Sequence, residues 1–251
     1  MEQLSRIKSE FVSNVSHDLR TPLTNIKSYL WLLEKGKPEK HAKYMETLHR
    51  ESDLLHRLIE DLLHLSRLDL GKVKPALAPV DVNRMVTLLV GDRAILFADR
   101  GLTLEARVEP DLPLIQADEK MLIQVLTNLM TNAMNYTPAG GAVMVSTGLQ
   151  IADLGLQIDH PQSAIGNPQW VTFSVADTGP GISAEDQARL FERFYRGEAA
   201  RQTRAAGTGL GLAICQELIK RHGGKITMES QVGKGSAFTV WLPIEGDRVT
   251  G

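Results

Sequence analysis

Phe11-Val12-Ser13-Asn14-Val15-Ser16-His17-Asp18-Leu19-Arg20-Thr21-Pro22-Leu23-Thr24 sets apolar residues four apart with polar ones between them. The spacing continues outward on both sides, through Leu4 and Ile7 before it and Ile26, Leu30 and Leu33 after it. One apolar stripe at three- and four-residue intervals predicts a long amphipathic helix. Gly36-Lys37-Pro38 ends it. A second stripe, through Tyr44, Leu48, Leu55, Ile59, Leu62 and Leu65, stops at Gly71, a residue suited to a helix C-cap. Two long helices joined by a short turn form an αα-hairpin. A lone hairpin would leave each helix half-covered, so the pattern predicts an antiparallel hairpin that forms a four-helix bundle with a second copy, a homodimer. At about 100° per residue, His17 lies about 200° around the helix from Val15, which predicts that it faces solvent beside Asp18. Pro22 cannot donate to the Asp18 carbonyl, so a kink or loosened turn is expected next to His17. A lone histidine in such a place is most often an ordinary surface residue.

Beyond the hairpin, Pro75 and Pro79 flank a short extended connector and the periodicity changes. Asp81 suits the N-cap of a helix running to about 99, residues 102–108 alternate as a strand, and Asp118 suits the cap of a helix through 134. Strand-like runs follow at 143–147, 171–176, 225–229 and 237–242, with helices near 184–194 and 210–222. This order predicts an α+β chain in which the hairpin precedes an α/β sandwich with helices on one face of a sheet. The expected divisions are a hairpin at 1–71, a linker at 72–80, a second domain at 81–244 and a tail at 245–251. The stretch 148–170 has no Lys or Arg and is punctuated by Pro161, Gly166 and Pro168, so it reads mainly as an elongated hairpin loop with some strand at its start.

A length of 251 residues suffices for two domains that each bury a core. With 28 Lys and Arg against 30 Asp and Glu, the chain lacks the basic footprint of general nucleic-acid binding. No apolar run reaches the roughly 18 residues of a membrane span, and no signal-peptide core follows Met1. The one cysteine, Cys215, excludes an intramolecular disulfide and a multi-cysteine metal site, and it fits a reducing compartment. The expectation is a soluble, cytoplasmic chain.

Four later segments carry chemistry. Asn128-Leu129-Met130-Thr131-Asn132-Ala133-Met134-Asn135-Tyr136-Thr137 puts Asn128 and Asn132 one helical turn apart, where amide oxygens can meet a metal and phosphate oxygens. In Asp177-Thr178-Gly179-Pro180-Gly181-Ile182, a carboxylate follows a strand. Glycines there let backbone come close, and the carboxylate can accept from a base amino group. Gly207-Thr208-Gly209-Leu210-Gly211-Leu212 opens a helix whose N–H groups can hold phosphate. Gly233-Lys234-Gly235-Ser236-Ala237-Phe238 reads as a structural turn as readily as a ligand contact. Singly these are weak signals, because glycines mostly serve turns and paired asparagines are often solvated.

The stretch 11–24 resembles the H-box of sensor histidine kinases. The later segments resemble, in order, the N, G1, F, G2 and G3 boxes of their ATPase domain, the Bergerat fold, with Leu190-Phe191-Glu192-Arg193-Phe194-Tyr195-Arg196 as the F-box match. The match runs from the first helix to about Pro243 and leaves out 148–170 and the tail. The resemblance implies a HisKA-type dimerisation and phosphoacceptor domain followed by an ATP-binding catalytic domain. It implies a protein-histidine kinase that phosphorylates His17 from Mg2+–ATP and passes the phosphate to an aspartate of a response-regulator receiver domain. It gives Asp18 the role of orienting His17 and accepting its proton, and gives Thr21 a part in positioning water for phosphatase action. Asn132 becomes the Mg2+ ligand with Asn128 beside it. Asp177, flanked by Gly179 and Gly181, becomes the adenine contact and Tyr136 a wall near the base. Gly207, Gly209, Leu210, Gly211 and Leu212 lie against the phosphates beneath a lid.

The chemistry suits these roles. Neutral imidazole, with an unperturbed pKa of about 6.5, is a nucleophile at cytosolic pH, and an adjacent carboxylate can take its proton. Residues 189–204 hold five Arg against Glu192 and Glu198; beside a triphosphate they form a charge clamp, with Arg196 the expected γ-phosphate contact. One position departs from the family, which commonly has Lys or Arg where this chain has Asn135. Arg196, Arg201 or Arg204 is expected to compensate. An ATP-hydrolysing clamp of the gyrase, MutL or chaperone kind would carry a Glu at Asn128, whose amide cannot take a proton. A catalytically dead dimeric scaffold would be signalled by loss of His17, Asn132 or the Gly-rich lid, and all are present. Kinases of this type can also carry an N-terminal sensor or membrane anchor.

Overall fold

The computed structural model describes residues 2–71, 73–151, 169–198 and 208–244, with side chains for Val15 and from 19 onward, Ile151 excepted. The side chains of His17 and Asp18, with the expected exposure of His17, lie outside the described set. So do Gly207, Arg201, Arg204, most of the 148–170 loop and the tail.

Helix α1 (Glu2–Lys35) carries His17, Asp18 and Thr21 on one run, and Pro22 lies inside it without ending it. Gly36 closes the last turn onto the Leu32 carbonyl at 2.8 Å, and a 3-10 turn (Pro38–Lys40) leads into α2 (His41–Asp69). The helices pack antiparallel: Asn25 Nδ2 donates to Glu51 Oε2 at 3.3 Å, and the Tyr29 and Tyr44 rings lie 5.9 Å apart. Gly71, at φ 66°, takes the left-handed conformation expected after a helix C-terminus. Leu58, Leu65 and Leu68 are buried, but Leu23, Leu30, Trp31, Met45, Ile59 and Leu63 stay exposed, Trp31 to 60%. One chain therefore covers only part of the apolar stripe.

The chain divides into two compact units. The first is Met1–Lys72 with Glu192–Phe194 and Ala206–Gly211; the second is Val73–Phe191, Tyr195–Ala205 and Leu212–Gly251. Short pieces of the F and G2 segments thus group with the hairpin.

In the second unit, β1 (Ala78–Val80) pairs antiparallel with β3 (Ile115–Ala117), so part of the expected connector is strand. Pro79 is tolerated because a two-stranded edge leaves positions that need no N–H. Helix α3 (Val82–Ala98) starts where Asp81 Oδ1 accepts from Arg84 N–H at 3.0 Å. Helix α4 (Glu119–Tyr136) starts where Asp118 Oδ1 accepts from Met121 N–H at 3.2 Å. Both caps stand at the acidic residues that the sequence marks. Strands β2 (Thr103–Arg107), β4 (Ala142–Ile151), β5 (Gln169–Asp177), β6 (Lys225–Gln231) and β7 (Gly235–Pro243) form one sheet in the order β2-β4-β5-β7-β6, with only the β2–β4 pair parallel. Strands β4 and β5 stay in register from Val143 opposite Asp177 to Ile151 opposite Gln169, so strand continues into the start of 148–170, as expected, and returns at its end.

Val143, Val145, Val171, Phe173, Val175, Phe238, Val240 and Leu242 are buried at alternate positions. Leu122, Leu126 and Leu129 of α4 and Ile214 and Leu218 of α6 (Gly211–Arg221) are buried too, giving one helical layer on one sheet face. The helix expected near 184–194 is shorter, α5 (Ala184–Arg189). Phe194 adopts φ 64°, outside the right-handed helical region, and the chain turns there instead. No helix of the described residues is long and apolar enough to cross a membrane.

Candidate active site

In the second unit, α4 and the end of β5 assemble one group of the marked residues. Asn128 and Asn132 are half-buried, one turn apart. The Asn128 amide nitrogen is engaged, since Nδ2 donates to the buried thiol of Cys215 at 3.6 Å. The Asn132 amide makes no hydrogen bond to another described residue, so its oxygen is an available hard donor. Asp177 ends β5, and its Oδ1 accepts from Gly179 N–H at 2.8 Å. Burial pushes the Asp177 carboxyl above its ordinary range, against hydrogen bonds from the Gly179 and Ser236 backbone. A Cβ on Gly179 would lie 2.6 Å from Asp177 Oδ1 and 3.1 Å from the Tyr136 carbonyl, so the loop passes tightly between α4 and Asp177. Gly181, at φ 71°, abuts the Gln231 carbonyl. Gly233 N–H donates to Pro180 O at 2.7 Å and Ile182 N–H to Ser230 Oγ at 2.8 Å. The 233–236 turn therefore braces the 178–182 loop.

Arg196 lies close enough to Tyr136 for its charge to lower the Tyr136 pKa, although burial raises it more. The structure thus brings Asn128, Asn132, Asn135, Tyr136, Asp177, Gly179, Gly181 and Arg196 into one unit. Leu212 stands in that unit as the second residue of α6. Asn135 accepts at Oδ1 from Arg100 Nη1 at 3.1 Å. A cation is therefore held beside Asn135, and it comes from Arg100, which no sequence pattern marks.

In the first unit, Gly209 adopts φ 68°, and a Cβ there would meet the Phe194 backbone at 2.7 Å, because Phe194 N–H donates to Gly209 O at 2.9 Å. Thr208 Oγ1 accepts from Leu210 N–H at 3.1 Å and donates to Asp61 Oδ2 at 2.7 Å. Burial raises the Asp61 pKa, and it lowers that of His64. Arg193 makes a two-pronged pair with Asp69, at 2.7 and 2.8 Å. Both partners are exposed, which limits the pair to about 1 kcal/mol. Leu210 is fully buried, and Gly211 begins α6.

Residues 7–71 match the His Kinase A (phospho-acceptor) domain, and residues 117–246 match the histidine kinase-, DNA gyrase B-, and HSP90-like ATPase family. The chain belongs to the sensor histidine kinases. It is 38% identical over 241 residues to Drug sensory protein A of Synechocystis sp., a match covering 94% of this chain and 35% of that protein. It is 32% identical over 247 residues to the signal transduction histidine-protein kinase BaeS of Escherichia coli, covering 98% of this chain and 49% of that one. The crystal structure of full-length ShkA in complex with AMPPNP is similar at a TM-score of 0.63 and 29% identity, over 96% of this chain and 45% of that one. The chain therefore spans about a third to a half of the length of these relatives.

Within the histidine-kinase core, three residues that the sequence did not mark hold the site's elements. Cys215 receives Asn128. His222 is buried, with Nε2 accepting from Asp118 N–H at 3.0 Å and Nδ1 lying 2.8 Å from Leu218 O, so it ties the end of α6 to the start of α4. Asp186 accepts from Tyr195 and Glu198 around Arg196. No spacing rule reveals them, because each partner is distant in sequence or lies across a turn.

Proposed function

We propose that this kinase core binds Mg2+–ATP in its α/β domain, phosphorylates His17 and passes the phosphoryl group to an aspartate of a response-regulator receiver domain. An imidazole nitrogen of His17 attacks the γ-phosphorus in line. The N–P bond forms as the bond to the β,γ-bridging oxygen breaks, ADP leaves, and Asp18 takes the ring proton. Asp177 accepts from the adenine amino group, Tyr136 flanks the base, and Arg196 stabilises charge on the γ-phosphate. Backbone N–H groups of Gly209, Leu210, Gly211 and Leu212 are assigned to the phosphates. Thr21 positions water when the core acts as a phosphatase.

A magnesium ion, were it bound, would supply charge neutralisation to the phosphates during transfer. Asn132 would hold it: its oxygen has no protein partner among the described residues. No group of three His, Cys, Asp or Glu suited to a metal occurs among those residues. That donor set fits an ion completed by phosphate oxygens and water, as Mg2+ prefers. The exposed Leu23, Leu30, Trp31, Met45, Ile59 and Leu63 support a homodimer through the hairpin, in the cytoplasm where ATP is available.

The observation that carries this reading is the pairing, in one chain, of a phosphoacceptor domain containing His17-Asp18 with an ATPase domain that sets Asp177 and Gly179 against Tyr136. The Asn128 amide, occupied by Cys215 and unable to take a proton, counts against a water-activating ATPase clamp. The test is incubation with Mg2+ and γ-labelled ATP beside a His17→Ala variant. Label that is acid-labile, alkali-stable and absent from the variant is expected. ATP binding without label would overturn the kinase reading.

A further inference from the structure

Asp186 sits in α5, ten residues before Arg196 in the chain. Its carboxylate accepts from the Tyr195 hydroxyl at 2.6 Å and from the Glu198 backbone N–H at 3.2 Å. These two contacts bracket Arg196, one residue before it and two after. Gly197 lies between them and is buried, and a Cβ there would fall 2.9 Å from Asp186 Cγ and Oδ2. The chain therefore runs flat against the carboxylate, with room for glycine alone. The Arg189 guanidinium, one turn after Asp186 on α5, covers the Tyr195 ring at 4.3 Å and holds its hydroxyl end toward the carboxylate. From this clamp Arg196 reaches the neighbourhood of Tyr136.

We propose that Asp186 is a positioning residue for nucleotide recognition: by gripping the chain on both sides of Arg196 it fixes the guanidinium where it meets the γ-phosphate. The inference rests on the assignment of Arg196 to the γ-phosphate under the proposed function. An arginine on an unanchored turn must be ordered when ligand binds; one whose chain neighbours are hydrogen-bonded to a carboxylate on both sides is ordered beforehand and keeps more of its interaction as affinity. Because Arg196 addresses only the γ-phosphate, the clamp should raise affinity for ATP and leave affinity for ADP alone.

The experiment measures Kd for Mg2+–ATP and Mg2+–ADP by calorimetry on the whole chain. The variants are Arg196→Ala, Asp186→Ala, Asp186→Asn, Tyr195→Phe and the Asp186→Ala/Arg196→Ala double. Arg196→Ala is expected to lower the ATP-over-ADP preference roughly tenfold, the scale of one charge-assisted hydrogen bond. Asp186→Ala should lower the same preference several-fold at unchanged ADP affinity. Asp186→Asn and Tyr195→Phe, which each weaken one arm of the clamp, should fall between. The double variant should be no worse than Arg196→Ala. If Arg196→Ala lowers the preference but Asp186→Ala, Asp186→Asn and Tyr195→Phe leave it at the wild-type value, the positioning role is overturned. Losses that multiply in the double variant overturn it as well, since Asp186 would then act independently of Arg196. A preference unmoved by Arg196→Ala overturns the γ-phosphate assignment itself, a different failure. Should Asp186→Ala lose ADP binding through misfolding, the two milder variants decide the question by the same ratio.

Discussion

Replacing Asp177 by Asn separates what this residue does for folding from what it does for nucleotide. The side chains have nearly the same shape, so the change is one of charge. Burial raises the Asp177 pKa above its ordinary 3.8, so the folded chain holds the proton more tightly than the unfolded chain does. The stability linked to that shift is fully present below the unfolded pKa and is lost as pH rises through the folded one; at pH 7.5 the ionised carboxylate is a net cost to folding. The substituted amide removes that cost, and its one oxygen can still accept from Gly179 N–H, which in the wild type donates at 2.8 Å, and from the Ser236 N–H that also holds the carboxylate. The Tm of Asp177→Asn at pH 7.5 should therefore equal or exceed that of wild type, and the difference should shrink toward pH 4. Nucleotide binding should move the other way. With one oxygen engaged by Gly179, the NH2 of the amide takes the place of the other and opposes the adenine amino group, donor against donor. Loss of a hydrogen bond to a charged acceptor is worth about 1.5–3 kcal/mol, roughly a 10- to 150-fold rise in Kd. Because the contact is to the base, ATP and ADP should weaken equally. Calorimetric titration of both nucleotides, beside thermal melts at two pH values, reads all three quantities. A variant that binds within threefold of wild type, or one that melts more than about 5 °C lower at pH 7.5, would refute the reasoning.

Other substitutions test the supports of the site. His222→Ala leaves the Asp118 N–H without its acceptor at the start of α4, and should cost about 1–3 kcal/mol in urea unfolding. A loss under 0.5 kcal/mol, on the order of a neutral surface change, would mean that the bond adds nothing. Gly209→Ala forces a Cβ against the Phe194 backbone at φ 68°, and should destabilise the chain by about 1–3 kcal/mol and weaken ATP. Wild-type stability there would show that the turn adjusts freely. Asn135→Lys sets an ammonium beside the Arg100 guanidinium and should change ATP affinity little, while adding Arg100→Ala to it should raise affinity about two- to threefold over the single variant. Equal affinity of the single and double variants would remove Arg100 from the phosphate environment.

Elements whose signals are local are legible in the chain. Asp81 and Asp118 mark helix starts because an N-cap needs only its own next three residues, and Gly71 marks an end because few other residues take its backbone conformation. The alternation in 171–176 and 237–242 reports a sheet with one buried face, and the structure has it. Where the reading failed, a distant contact overrode the local pattern. The run 184–194 looks helical to its end, but Phe194 is pulled to φ 64° as its N–H pairs with Gly209, fifteen residues on. Residues 78–80 look like linker because a three-residue strand has no periodicity, and only β3 makes it one.

The site divides the same way, and the division has a physical cause. Groups proposed to touch nucleotide must have the right chemistry at fixed offsets along one element, so Asn128, Asn132, Asp177 and Gly209 leave a pattern in the chain. Groups that hold those residues need only the right atom at the right distance, from any element the fold brings near. Arg100 illustrates the consequence. The substitution at Asn135 reads in sequence as a lost charge, yet the Asn amide oxygen accepts from a guanidinium at the α3–β2 turn and keeps a cation at that end of α4. A lysine at 135 would repel that guanidinium, whereas the asparagine tethers it. One hydrogen bond thus joins Asn135 to a cation thirty-five residues away in the chain.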